Sequence, residues 1–102
     1  MARMLIVDDA ILLRGVLKFI LERAGHSLLG MAESPAEALS MYKTRKADIV
    51  FCDVSPTGLD GLAVIQEILN ADPAARIVAI TSRGHEARGE EATTMGACAY
   101  IQ

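Results

Sequence analysis

Short apolar runs alternate with segments of helical periodicity along the whole chain, and this alternation limits the fold more than any other feature. Five apolar runs predict strands at residues 3–7, 27–31, 48–52, 76–80 and 98–101. The first, third and fourth runs are apolar almost without interruption, as strands covered on both faces are. Strands that alternate with helices form a parallel sheet with right-handed crossovers. The sequence therefore predicts a doubly wound α/β fold, with a five-stranded parallel sheet and helices on both faces.

Four segments between these runs have the spacing or the boundary residues of helices. The first carries an apolar stripe, which consists of Leu13, Leu17, Ile20, Leu21 and Ala24. The second opens with Ser34 as the expected N-cap, Pro35 at the first helical position and Glu37 completing a capping box. The third ends before Pro73. The fourth is the weakest, because it contains Gly89 and has few apolar residues.

Composition excludes several classes of protein. With 102 residues the chain forms one domain, and a net charge of −3 with scattered basic residues argues against direct nucleic-acid or membrane binding. No apolar stretch approaches the ~18 residues of a membrane span, and the N-terminal apolar segment is too short for a signal peptide. Cys52 and Cys98 lie beside apolar segments and are predicted to be buried thiols. These features predict a cytoplasmic protein.

Polar side chains collect where the predicted strands end. Asp8 and Asp9 follow the first strand, Asp53 follows the third, and Thr81 with Ser82 follow the fourth. Open parallel sheets bind ligands at the carboxyl ends of their strands. We therefore expect three carboxylates and a hydroxyl to meet at one edge of the sheet.

This combination of side chains suits phosphoryl chemistry. Clustered carboxylates repel one another, and Mg²⁺ is the simplest ion that holds hard oxygen ligands together and leaves room for a phosphate. A carboxylate at the exposed rim, such as Asp53, can attack a phosphoryl group and form an acyl phosphate. Thr81 can then donate a hydrogen bond to a phosphoryl oxygen.

Each of these residues also has a plainer interpretation. Asp8, Asp9 and Asp53 are all candidates for helix N-caps. Thr81 is a β-branched residue of the kind that commonly ends a strand, and Tyr100 is a candidate for an ordinary core or rim aromatic. The interpretation as a site depends on all of them meeting at one edge.

Four segments together resemble the receiver domain of two-component response regulators. They are "LIVDDA", "DIVFCDVSPTGLDGL", "IVAITS" and "MGACAYI", and the likeness covers essentially the whole chain in order. The resemblance implies a flavodoxin-like strand order, 2-1-3-4-5. It also implies a partner, a sensor histidine kinase or a phosphotransfer protein that donates the phosphoryl group, and an output partner or effector domain that the sequence does not name.

The resemblance assigns roles to individual residues. Asp53 would accept the phosphoryl group, and Thr81 with Tyr100 would be the pair that reports phosphorylation to the opposite face. Mg²⁺ would be held by Asp8, Asp9, the Asp53 side chain and the backbone carbonyl of Ser55. Any enzymatic activity would be slow, Mg²⁺-dependent self-phosphorylation and self-dephosphorylation at Asp53.

Two departures from the family pattern bear on these roles. Pro56 and Thr57 stand where the family usually has Met-Pro, so the proline is one place early and restricts the backbone of Ser55. The family lysine and fifth helix would follow Gln102. Residues 1–102 are therefore expected to be a receiver domain that is incomplete at its C-terminus. With the last helix missing, one flank of the sheet would be uncovered, and self-association would be favoured.

Two other classes of function are compatible with the sequence. A pseudo-receiver would keep the fold and act as a protein–protein interaction module without turnover, and the early proline with the missing lysine favours it. An unrelated Mg²⁺-dependent aspartyl phosphatase would place its nucleophile after the first strand, with a second aspartate two residues on. The residue two places after Asp53 is Ser55, which opposes that class. A phosphoaccepting signalling switch agrees best with the residues.

Overall fold

The computed structural model describes residues 2–8, 11–55 and 60–101. Strands and helices alternate strictly along this part of the chain. The elements are β1 (Arg3–Val7), α1 (Ile11–Arg23), β2 (Ser27–Ala32), α2 (Pro35–Arg45), β3 (Ile49–Asp53), α3 (Gly61–Ala71), β4 (Ile77–Ile80), α4 (Glu86–Met95) and β5 (Ala99–Ile101).

The sheet has the predicted topology. Its strand order is β2-β1-β3-β4-β5, and every neighbouring pair is parallel. The boundaries of each strand lie within one residue of the predicted boundaries. The prediction succeeds because a parallel strand buried on both faces must be apolar along its whole length, which gives it a distinct signal in sequence.

The main core lies between the sheet and the helices α2, α3 and α4. It is built from aliphatic side chains of the three central strands and of α3, which include Leu5, Val7, Val50, Val64, Ile65, Ile68 and Ile77. Helix α4 buries only its small residues Gly89 and Ala92. The helix with the weakest sequence signal is therefore attached to the sheet by a close approach of backbone rather than by large apolar side chains.

Part of the predicted apolar stripe of α1 is less covered than its sequence pattern predicts. Periodicity places Ile20 in an apolar stripe, but its side chain is 53% exposed, and Phe19 beside it is 62% exposed. In β5, Ile101 is 48% exposed. The prediction is wrong for Ile20 and for Ala24, which is also exposed, whereas Leu17 and Leu21 are half-buried and the side chain of Leu13 lies outside the described part of the chain. Periodicity identifies the apolar side of a helix, but burial requires a neighbour.

The start of α2 forms largely as its sequence predicts. The Ser34 hydroxyl accepts a hydrogen bond from the backbone N–H of Glu37 at 3.2 Å, and Pro35 occupies the first turn. The Glu37 carboxylate turns back to the N–H of Glu33 at 3.0 Å, one residue before the N–H that a capping box uses. The N-cap is confirmed, with its reciprocal bond shifted by one residue.

None of the helices in the described part of the chain combines the length and apolar character needed to cross a bilayer.

One cysteine departs from its prediction. Cys52 is buried in β3, as expected, but Cys98 is exposed, although its thiol lies 3.2 Å from the carbonyl of Ile77. Cys98 precedes β5, the edge strand of the sheet, where one side of the chain has no neighbouring strand to cover it.

Candidate functional site

The strand register brings three of the predicted site residues to the carboxyl edge of the sheet. The register between β1 and β3 brings Asp8, which follows β1, level with Asp53 at the end of β3. The register between β3 and β4 pairs Asp53 with Ile80, so Thr81 comes next at the same edge. The convergence expected from sequence therefore exists for Asp8, Asp53 and Thr81. Asp9, Pro56 and Thr57 lie outside the described residues.

The polar side chains at this edge are buried. Asp8 is 0% exposed, Asp53 5%, Ser55 7% and Thr81 3%. These four are the buried polar residues of the described chain. The sequence places charges at the ends of apolar strands, and the structure encloses them almost completely, which is costly unless a partner compensates for the lost water.

Ser55 connects the loop after β3 to the loop after β4. Its backbone N–H donates to Oδ1 of Asp53 at 2.8 Å. Its hydroxyl oxygen accepts a hydrogen bond from the backbone N–H of Ser82, also at 2.8 Å. The carboxylate of Asp53 is therefore oriented by a backbone segment that is itself held against the next strand.

The pKa of the Cys52 thiol reflects the negative charge of the neighbouring carboxylates. Its thiol lies fully buried in β3, directly before Asp53. Burial raises the pKa of Cys52, and the negative charges of Asp53, Asp8 and Asp60, in that order, raise it further. Three carboxylates act on one buried thiol, so negative charge is concentrated at this edge of the sheet.

These side chains fit a hard divalent cation. Two almost fully buried carboxylates at one edge repel each other unless a positive charge lies between them. Mg²⁺ is commonly held by one or two carboxylates together with water and phosphate oxygens, and Asp8 and Asp53 provide that donor set. Within the described residues, no group of three acidic, histidine or cysteine side chains forms a metal site. The predicted third carboxylate, Asp9, is not among those residues.

Thr81 has a buried hydroxyl without a hydrogen-bond partner among the described residues. Its Oγ1 is buried and makes no hydrogen bond within the described part of the chain. A buried hydroxyl without a partner costs free energy, so such groups are uncommon in folded proteins. A phosphoryl oxygen on Asp53 is the kind of acceptor that would satisfy it.

Tyr100 lies close to Thr81 but belongs to the far edge of the sheet. In β5 it pairs with Ala79 of β4, and its half-buried side chain packs against the core. Both residues lie beside Gly89 of α4: a methyl group at Gly89 would lie 2.6 Å from Cγ of the Tyr100 ring and 2.9 Å from Cγ2 of Thr81. The two residues of the predicted switch pair therefore converge on one position of α4.

Sequence reasoning missed Arg88, which connects α4 to the site. Its Nε donates a hydrogen bond to the backbone carbonyl of Val54, the residue after Asp53. The sequence offers only a weak signal, since Arg88 lies in a polar helix where a solvated arginine is the ordinary expectation. A guanidinium that binds a carbonyl of another loop can be recognised only when the chain is folded.

Gly61 determines how closely α3 approaches the site. Asp60 caps this helix, because its Oδ1 accepts a hydrogen bond from the N–H of Ala63 at 3.2 Å. Gly61 then lies against the backbone at the end of β3: a methyl group there would lie 2.8 Å from the carbonyl carbon of Asp53 and 3.0 Å from Cα of Val54. The Asp-Gly pair thus combines a helix cap with a position where no side chain fits.

The chain matches the family model of the response regulator receiver domain over residues 4–102. It therefore belongs to the family of response regulator receiver domains. Chemotaxis protein CheY of Thermotoga maritima is 39% identical over 99 residues, which cover 97% of this chain and 82% of that protein. The resemblance inferred from four sequence segments is confirmed.

Solved structures agree with this assignment. A crystal structure of NtrX from Brucella abortus superposes with a TM-score of 0.90 at 31% identity, over 98% of this chain and 22% of the NtrX chain. The CheX–CheY–BeF3–Mg²⁺ complex from Borrelia burgdorferi gives a TM-score of 0.88 at 28% identity, over 98% of this chain and 76% of that chain. The chain therefore corresponds to most of CheY and to one part of NtrX.

Proposed function

We propose that this receiver domain is a phosphoaccepting switch of a two-component system, in which Asp53 takes a phosphoryl group from a sensor histidine kinase or a phosphotransfer protein. The observation that carries the proposal is the convergence of two buried carboxylates, Asp8 and Asp53, with the hydroxyl of Thr81, which has no hydrogen-bond partner among the described residues. The proposal treats residues 1–102 as one receiver domain and includes the cytoplasmic location expected from its sequence. The output partner or effector domain is unnamed.

The nucleophile in this proposal is a carboxylate oxygen of Asp53. Its Oδ1 accepts the hydrogen bond from the N–H of Ser55, which leaves Oδ2 as the oxygen that would meet the phosphorus. A bond forms between that oxygen and phosphorus while the bond between phosphorus and the donor breaks, and the donor leaves with the bonding electrons. The product is an acyl phosphate on Asp53.

The other residues compensate for the charge of the phosphoryl group. Asp8, Asp9, Asp53 and the carbonyl of Ser55 would hold Mg²⁺. When bound, this ion supplies the positive charge that neutralises the carboxylates and the transferred phosphoryl group. Thr81 would donate its hydroxyl hydrogen to a phosphoryl oxygen and so acquire the partner that it lacks. Tyr100, which converges with Thr81 on α4, would register that change.

A small phosphodonor tests the chemistry without requiring the cognate kinase. Acetyl phosphate with Mg²⁺ should add one phosphoryl group to the wild type, measured by intact mass, and mild base should remove it as it removes other acyl phosphates. Asp53→Asn should not be labelled. Asp48→Asn is the matched control, because Asp48 is an exposed carboxylate beside the opposite end of β3.

Two outcomes would contradict the proposal. Equal labelling of the wild type and Asp53→Asn would place the acceptor elsewhere. A folded wild type that is labelled neither by acetyl phosphate nor by a phosphorylated histidine kinase would favour the interaction module without turnover. Chelation of Mg²⁺ should abolish labelling, and labelling that persists after chelation would exclude the role assigned to the ion.

A further inference from the structure

Gly89 occupies the middle of α4, where a glycine is unfavourable for the helix itself. Glycine loses more backbone entropy on folding than any other residue, so alanine is preferred at interior helical positions. Gly89 does not have the positive φ that requires glycine at Gly25, Gly84 and Gly96. It lies neither at the end of the helix nor at a turn, and it is buried. Its presence calls for another physical reason.

The contacts at Gly89 supply that reason. The ring of Tyr100 occupies the space that a side chain at Gly89 would fill, since a methyl group there would overlap Cδ1 and lie 2.6 Å from Cγ of the ring. The same methyl group would lie 2.9 Å from Cγ2 of Thr81. At Gly15, in the interior of α1, the corresponding methyl group would meet no heavy atom within 4 Å beyond its chain neighbours and the local helix backbone. Gly89 and Gly15 are therefore both helical, but only Gly89 lies where an added side chain would meet other residues.

We propose that Gly89 is a positioning residue: the notch that it leaves in α4 holds the Tyr100 ring inward, against Thr81. The notch is the space beside Gly89 that a side chain would fill, and it is bordered by the ring of Tyr100 and the methyl group of Thr81. It deepens the proposed function, on which its regulatory meaning rests, because Thr81 is the residue whose hydroxyl would bind the phosphoryl group. A side chain at position 89 would displace the ring and so separate Tyr100 from Thr81.

A second contact holds α4 in the position that the notch requires. Arg88, the residue before Gly89, donates its Nε hydrogen to the carbonyl of Val54, next to Asp53. Helix α4 therefore contacts the site at two adjacent residues, at Arg88 through the loop after β3 and at Gly89 through Thr81 and Tyr100. The hydrogen bond of Arg88 connects α4 to the loop after β3, and the absence of a side chain at Gly89 leaves room for the Tyr100 ring beside the helix.

The position of the Tyr100 ring can be measured directly, because the chain has no tryptophan and two tyrosines. In a Tyr42→Phe background, Tyr100 is the only tyrosine, and quenching of its fluorescence by acrylamide reports its exposure. We expect Gly89→Ala to give a steeper quenching slope than the background protein. Gly15→Ala, the matched control, should leave the slope unchanged. An unchanged slope in Gly89→Ala would overturn the proposal.

A double-mutant cycle separates the notch from a general effect on folding. With Tyr100 present, Gly89→Ala should lower the urea midpoint, because the new methyl group overlaps the ring. With Tyr100→Ala combined with Thr81→Ser, which removes both the ring and the Cγ2 methyl group and keeps the hydroxyl, the same substitution should raise the midpoint, because the space is then open and alanine favours the helix. The sign reversal is the expected signature. A rise in both backgrounds, or a fall in both, would overturn the proposal.

Labelling by acetyl phosphate, measured on the same proteins, distinguishes the notch from the function on which it rests. If the wild type is not labelled but the quenching difference and the sign reversal are present, the proposed function fails and the notch stands. If the wild type is labelled at Asp53 and Gly89→Ala shows neither effect, the function stands and the notch fails. When both hold, Gly89→Ala should change the rate of labelling, whereas Gly15→Ala should not.

Discussion

Substitution of Gly61 by alanine tests how tightly α3 is packed against the end of β3. Gly61 is buried at the start of α3, and an added methyl group would overlap the Asp53 carbonyl oxygen and lie 2.8 Å from its carbonyl carbon. Cα of Val54 would be 3.0 Å away. All of these neighbours are backbone atoms, so no side chain can rotate to relieve the overlap. Either α3 or the end of β3 must move.

The expected loss of stability follows from two opposing terms. Gly→Ala at an unstrained position stabilises by ~0.4–1 kcal/mol, chiefly because the unfolded chain has less freedom to lose. Overpacking of a well-packed interior typically costs ~1–3 kcal/mol, and a backbone neighbour places Gly61 at the upper end of that range. The net expectation is a loss of about 2 kcal/mol in the free energy of unfolding, a large part of the ~5–15 kcal/mol that stabilises a typical domain.

Urea unfolding followed by circular dichroism measures this difference. With an m value of ~1–3 kcal/mol/M, a loss of about 2 kcal/mol lowers the midpoint by about 1 M. Gly15→Ala is the control, because Gly15 is exposed and a methyl group added there would meet no heavy atom within 4 Å beyond its chain neighbours and the local helix backbone. This variant should gain roughly 0.5–1 kcal/mol in the free energy of unfolding. If Gly61→Ala is as stable as the wild type while Gly15→Ala behaves as expected, the close approach of α3 to Asp53 is wrong.

Two further substitutions address single polar groups. Thr81→Val removes a buried hydroxyl that lacks a partner within the described chain. We therefore expect the free energy of unfolding to rise by about 1 kcal/mol and the labelling of Asp53 to slow. A clear fall in the free energy of unfolding would mean that the hydroxyl already makes a hydrogen bond. Tyr42 donates to Oδ2 of Asp72 at 2.6 Å, and burial, followed by that hydrogen bond and the Asp72 charge, raises the pKa of Tyr42 to about 12. The raised pKa means that stability from the neutral phenol is complete below the unfolded value of about 10 and is lost as pH rises through about 12. Absorbance titration should show a lower Tyr42 pKa in Asp72→Asn, and an unchanged titration would contradict the role of the Asp72 charge.

Local sequence determined the elements of this protein and their order. The strands are recognisable because burial on both faces demands unbroken apolar runs, and the start of α2 is recognisable because Ser34 and Pro35 act within one turn of the chain. The convergence of Asp8, Asp53 and Thr81 could also be predicted from the sequence, since parallel strands direct their carboxyl ends to the same edge of the sheet. These signals depend on neighbours in sequence or on a general rule of topology.

Tertiary structure alone decided how the site is enclosed and connected. The exposure of Ile20 and Cys98, the bond from Arg88 to Val54, and the contact of Gly89 with Tyr100 all depend on residues from different elements. A residue's own periodicity indicates what it can do, but its burial and its partners are set by whichever segment packs against it. For this reason the sequence shows Gly89 only as a residue of low helix propensity, whereas the structure shows that the absence of its side chain leaves room for the Tyr100 ring.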